Sequence, residues 1–189
     1  MKDQMSKYIS CCKGFGGLIL LLVLDQLTKL GAAVFLKDRG PVTILPGIFQ
    51  LQYLENRGAA FGMLENMQWI FVVFALVITA AAVWFYLRVP PTARYRILRV
   101  LCVALSAGAL GNMIDRLLHG YVIDFFYFRL IDFPIFNVAD IYVCASVAVL
   151  LLVCLFYYKE EDFARLQGKK SREDYVNELI DKIQESKKK

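Results

Sequence analysis

The chain reads as an all-α membrane protein of four transmembrane helices with a small extracytoplasmic β-containing segment. Three observations predict this. Of its 189 residues, 58% are hydrophobic, and they fall in long runs that a soluble core would interrupt with turns and polar faces. About 20 apolar residues cross a bilayer as a helix, and four runs are long enough, at about 14–36, 69–87, 97–118 and 136–158. Lys and Arg are also spread unevenly over the segments that join these runs.

The first run could pass for a signal peptide. It is long for one, contains Asp25 and Lys29, and has no clear cleavage site, so it is read as a retained span. Asp25 and Lys29 are four residues apart, as in an intrahelical ion pair. The pair either lowers the cost of two charges in the membrane or positions another segment or a substrate head group. Between spans one and two, residues 43–45 and 48–54 are strand-like and separated by Pro46-Gly47, which predicts a small sheet or ribbon on the outer surface. Asn56, in NRG, fits a turn. It equally fits a substrate contact, where Gly58, Ala59 and Ala60 allow close backbone approach.

Span two has aromatic residues near both ends and no charge within it, which suits a scaffold helix. Span three carries Gly108, Gly111, Asn112, Asp115 and Arg116 at helical spacing. The small residues let another helix come close. Asn112, Asp115 and Arg116 could form an internal polar cluster in which Arg116 pairs with Asp115 or reaches a substrate carbonyl or phosphate. Span four opens after Pro134, where Asn137 followed three residues later by Asp140 resembles a capping box. From residue 159 the composition becomes mixed-charge, and Val176, Leu179, Ile180 and Ile183 follow the amphipathic-helix pattern. The expected organisation is a four-span domain over 1–158 and a charged cytoplasmic tail over 159–189.

The formal charge of +5 is best read by position. Lys2, Lys7 and Lys13 flank the first span, and Arg88, Arg94, Arg96 and Arg99 crowd the connection between spans two and three. Lys/Arg excess marks the cytoplasmic side. Both termini are therefore expected inside, with residues 37–68 and 119–135 outside. Topology accounts for the basic residues, so nucleic acid is not an expected partner. The five cysteines fall outside the expected outer segments and lack metal-ligand spacing, so neither a disulfide framework nor a zinc site is expected. His119, the only histidine, sits at a span end and reads as interfacial.

Asp124 and Asp140 stand apart. A carboxylate near lipid is costly and is usually kept for a purpose. Capping explains Asn137 well and Asp140 less well. Asp124 lies in the apolar stretch YVIDFFYF, with no cap to explain it. With this topology both acids fall at the outer membrane face, where two neighbouring carboxyls can share one proton and perform acid/base chemistry. A proton relay through Asp25, Asp115, Asp124 and Asp140 is the rival function. It is disfavoured because two of the four lie near one face and inverted repeats are not apparent.

Taken together, DQLTK, NRGAAFG, GALGNMIDR, HGYVIDF and FNVADIYV, in that order from Asp25 to Val143, resemble the lipoprotein signal peptidases (signal peptidase II), bacterial inner-membrane aspartic proteases. The resemblance implies cleavage of prolipoproteins before a diacylglyceryl-modified cysteine. It implies Asp124 and Asp140 as the catalytic dyad, and Asp25, Lys29, Asn56, Gly108, Asn112, Arg116, Asn137 and Ala139 in or around the substrate site. The expected partners are that lipid-modified substrate and membrane lipids, with no metal and no cofactor. This chain departs from the family pattern at Ala107 and Ile141, neither of them a proposed catalytic group.

Overall fold

A computed structural model describes residues 2–58, 67–168, 176, 179, 180, 183 and 184. Among the described residues, four helices are long and apolar enough to cross a membrane. They are α1 (Lys2–Leu36), α2 (Gln68–Arg88), α3 (Arg96–His119) and α4 (Val138–Phe156). Three strands among the described residues form one antiparallel sheet in the order β1 (Val42–Leu45), β2 (Phe49–Asn56), β3 (Val122–Tyr127). A short helix, α5 (Glu160–Leu166), follows α4. Helix α1 starts at Lys2, well ahead of the expected first span. At 1.5 Å per residue it outruns the roughly 30 Å hydrocarbon layer.

Helix α3 is the centre of the bundle and packs against α1, α2 and α4. In its most apolar stretch 39% of residues are buried, against 17% in each of the other three. Its small residues explain this. A Cβ on Gly108 would lie 2.5 Å from the carbonyl oxygen of Ala139, and one on Gly111 would collide with the Asp25 carboxylate. These glycines let α4 and α1 approach α3 at van der Waals distance, where lipid supplies no hydrophobic drive. Gly108→Ala is expected to destabilise by about 1–3 kcal/mol through overpacking. It should lower the thermal unfolding midpoint in detergent, and an unchanged midpoint would show that the α3–α4 contact can yield.

The two strands expected in the outer segment are present, but the sheet has a third. Residues 122–127 were expected only as part of an outer segment. They pair antiparallel with β2, Leu54 opposite Asp124 and Asn56 opposite Val122, with a register shift between Leu51 and Leu54. Strand alternation then sorts the side chains of β3. Ile123 and Phe125 turn to Ala32 and Leu36 of α1 and form a buried cluster. Val122 and Asp124 turn the other way, into a cavity. The turn from α3 into β3 passes through Gly120 at φ 77°, a left-handed conformation that favours glycine. A bridge between Phe126 and Phe136 carries β3 to the start of α4.

At the opposite end of the bundle, Val89, Tyr95, Leu98 and Tyr158 form a second buried cluster. There Arg94 pairs with Asp162 of α5 at 2.6 Å. In the tail, Val176, Leu179, Ile180 and Ile183 are helical and exposed. The rest of the expected tail helix, and Ala59 and Ala60 of the outer segment, lie outside the described residues.

Candidate active site

The site is assembled on a buried ion cluster. Asp25 and Lys29 form the expected i,i+4 pair at 2.9 Å, but the lysine serves three partners. It also pairs with Asp115 of α3 at 3.0 Å and donates to Asn112 Oδ1 at 2.8 Å. Asp25, Lys29 and Asp115 are each at most 1% exposed. Gln26 adds donors to Asp115 Oδ1 at 3.0 Å and to the Gly111 carbonyl at 3.3 Å. Every buried charge here meets an opposite charge or a hydrogen-bonding dipole, the condition for keeping ions inside a membrane protein.

The cluster reaches outward through two backbone amides. Asp25 Oδ1 accepts the N–H of Ala139 at 2.9 Å, in the first turn of α4. It thereby satisfies an otherwise unpaired helix-end donor with a negative charge. Asp115 Oδ2 accepts the N–H of Ile123 at 3.1 Å, which pins β3 beside Asp124. One buried cluster thus anchors both elements that bear the two conspicuous aspartates.

Those aspartates are joined through Asn137, itself 0% exposed. The expected capping box is present. Asn137 Oδ1 accepts the Asp140 N–H at 3.1 Å, and Asp140 Oδ2 accepts the Asn137 N–H at 3.0 Å. Capping and site-building use different atoms of the same residues. The Asn137 Nδ2 group donates to Asp124 Oδ1 at 2.6 Å and to Asn112 Oδ1 at 3.0 Å. Asn112 Nδ2 donates to Asp140 Oδ1 at 2.7 Å. Asn56, at the end of β2, donates to Asp124 Oδ2 at 2.8 Å and accepts the Gly58 N–H at 3.0 Å. Its turn role and its contact with the site therefore coexist.

Asp124 and Asp140 line one cavity of about 610 Å³ together with Asn56, Asn112 and Arg116. Its other walls are apolar, from Phe133, Ile135 and Phe136 to Ile141 and Ala145. Asp124 is 2% exposed. Burial first, and the charge of Asp140 second, push its carboxyl up to about 7, although Asn56 and Asn137 favour its ionised form.

Arg116 does not pair with Asp115, which is held by Lys29. Its guanidinium donates to the Gly58 carbonyl at 3.2 Å and lies over the Phe71 ring at 4.5 Å, while its Nε has no hydrogen-bond partner among the described residues. All ten residues singled out in the sequence converge on the cavity or its support. Asp124, Asp140, Asn56, Asn112 and Arg116 line the cavity, and Asn137, Asp25, Lys29, Gly108 and Ala139 stand behind it. Gln26 and Phe71 were missed. The amide of Gln26 inside an apolar run was a usable signal, whereas Phe71 is one of many apolar residues in its span.

Fold and site together define a multi-pass membrane protein with two carboxyls facing one semi-enclosed cavity. The sequence pattern of the signal peptidase (SPase) II family matches residues 18–156. The chain is 46% identical over 136 residues to the lipoprotein signal peptidase of Symbiobacterium thermophilum, covering 71% of this chain and 88% of that protein. It is 42% identical over 141 residues to that of Clostridioides difficile, covering 74% and 93%. A bacterial membrane enzyme solved at 2.3 Å superposes with a TM-score of 0.69 at 30% identity, covering 78% of this chain and 92% of that one. The chain belongs to the signal peptidase II family and is a membrane protease.

Proposed function

We propose that this protein is an aspartic endopeptidase that removes signal peptides from prolipoproteins, cutting before the diacylglyceryl-modified cysteine. The observation that carries the chemistry is that Asp124 and Asp140, on separate elements, face one cavity and are bridged by a single buried residue, Asn137, through its side-chain amide to Asp124 and its backbone N–H to Asp140. Among the described residues neither carboxylate has a cation within ion-pair distance. Two such carboxyls keep one proton between them.

The ionised partner takes a proton from water as the water oxygen bonds to the scissile carbonyl carbon. The protonated partner gives its proton to the carbonyl oxygen. Collapse of the tetrahedral species breaks the C–N bond, and the amine of the modified cysteine leaves with a proton from the dyad. Arg116, whose Nε has no partner among the described residues, is positioned to bind a substrate carbonyl. The apolar walls of the cavity suit the lipid-bearing end of the substrate. Lys/Arg excess at the α2–α3 connection and near the N-terminus supports a cytoplasmic position for those segments, and with it a dyad near the outer face of the bacterial inner membrane.

The test is cleavage by the purified full-length protein of a lipid-modified prolipoprotein, with the unmodified precursor as control. Release of signal peptide from the modified substrate alone is expected, and equal cleavage of both would overturn the substrate assignment. The pH profile adds a second check. The pair needs its shared proton, and Asp124 loses its proton as pH rises through about 7. Cleavage should therefore decline above pH 7, by up to tenfold per unit. Because Asn56 lowers this value, Asn56→Ala should move the alkaline limb to higher pH. A rate constant from pH 6 to 9 would remove the shared proton from the mechanism.

A further inference from the structure

A second cleft lies at the other end of the bundle, away from both aspartates. It holds about 710 Å³ between the first half of α1, the end of α2 and the start of α3. Its charged lining is entirely basic: Lys13, Arg96 and Arg99. Lys13 and Arg96 are exposed, and among the described residues none of the three has an acidic partner within ion-pair distance. Ser10 and Thr92 also line the cleft, and Leu20, Leu21 and Val100 continue the wall toward the apolar part of the bundle.

The cleft is held open by a fixed framework. Tyr86 donates to the Ser10 carbonyl at 2.6 Å and ties α2 to α1. Arg99, 8% exposed, donates to the Val89 carbonyl at 2.7 Å and stacks over the Tyr86 ring at 3.9 Å. A Cβ on Gly14 would clash with the Tyr86 hydroxyl, so this glycine is what allows the tie. A smaller apolar cavity of about 180 Å³ shares Gly14, Tyr86 and Val103 with the cleft.

We infer that this cleft is a binding site for one anionic phospholipid. The headgroup phosphate sits among Lys13, Arg96 and Arg99, and an acyl chain runs along Leu20, Leu21 and Val100. Charge complementarity selects an acidic headgroup, and a basic mouth over an apolar groove between helix ends selects a lipid over a soluble anion. With the orientation proposed above, the lipid belongs to the cytoplasmic leaflet. Nothing in the cleft touches the dyad, so lipid retention and proteolysis are separate properties.

Native mass spectrometry of the full-length protein in mild detergent tests this, with dioleoyl phosphatidylglycerol and dioleoyl phosphatidylcholine as probes of equal chain length. Retention of phosphatidylglycerol over phosphatidylcholine is expected, and equal retention of the two would overturn it. Lys13→Gln and Arg96→Gln should each weaken that retention about five-fold, the equivalent of about 1 kcal/mol per basic residue. Arg88→Gln should not, since Arg88 lies outside the cleft and over Trp84. Wild-type retention in both cleft variants, or an equal loss in the Arg88 variant, would overturn a specific site. Displacement of the lipid by millimolar glycerol 1-phosphate would show a site for free phosphate and overturn the lipid assignment. Retention does not depend on cleavage, so its failure is distinguishable from failure of the protease reading.

Discussion

Asp124→Asn and Asp140→Asn are each expected to lower kcat/KM for prolipoprotein cleavage by about 10²–10⁴, the usual range for loss of a positioned acid or base. Asparagine keeps the shape of the side chain but cannot hold or release the shared proton. The surrounding amides are all donors, so the change keeps one hydrogen bond at each site and sets the new NH2 group against the other donor. Asp124 accepts from Asn56 and Asn137, and Asp140 from Asn112 and the Asn137 N–H. An asparagine carbonyl retains one of each pair. Removing a buried carboxylate also removes a charge that burial disfavours. Asp124 binds a proton more tightly in the folded chain than an ordinary carboxyl, so its contribution to stability is fully present at acidic pH. It is lost as pH rises toward and through about 7. The Asp124→Asn protein should therefore unfold at or above the wild-type temperature at pH 8, while failing to cleave. If the two carboxyls act as a unit, the double variant should be hardly worse than either single one. A folded single variant with full activity would refute the dyad.

Lys29→Ala should produce the largest loss of stability. Lys29 is, among the described residues, the one cation held by both Asp25 and Asp115. Truncating it leaves two carboxylates buried at 0% and 1% exposure without a counter-charge. Removing one partner of a buried pair typically costs about 3–5 kcal/mol. The damage should spread to the site by a definite route. Asp25 holds the Ala139 N–H and Asp115 holds the Ile123 N–H. Movement of either carboxylate therefore shifts α4 or β3, and with it Asp140 or Asp124. Lys29 also accounts for the orientation of Asn112, whose Oδ1 faces the ammonium while its Nδ2 faces Asp140. Thermal unfolding in detergent measures the effect, and adding Asp115→Asn to Lys29→Ala should restore part of the loss by deleting one stranded charge. A Lys29→Ala protein that unfolds at the wild-type temperature would show that the cluster is not under this constraint.

Much of this architecture was legible in the sequence because the bilayer makes demands that a linear pattern can display. A spanning helix must be long and apolar. A charge inside one must be matched, and Asp25 and Lys29 sit at the spacing that matches them. The Pro46-Gly47 break marks the β1–β2 turn, and Asn137 with Asp140 announces the start of α4. Strand β3 was less legible. Its six residues are apolar around one acid, and nothing local says whether such a stretch is a strand, a loop or a helix end. Its conformation is set by pairing with β2, which lies far away in the chain.

The partner of Arg116 was hidden for a similar reason. Asp115 is its neighbour in sequence, and only the approach of α1 across Gly111 gives that carboxylate to Lys29. The sequence by itself determined the membrane class, the four apolar helices, the capping box and the identity of the costly acids. These follow from hydrophobic length and short-range spacing. Only the tertiary structure decided that one residue, Asn137, bridges Asp124 and Asp140, and that one buried lysine holds the elements beneath them. Those contacts join segments up to 114 positions apart, and their geometry is set by close packing of α3 against its neighbours.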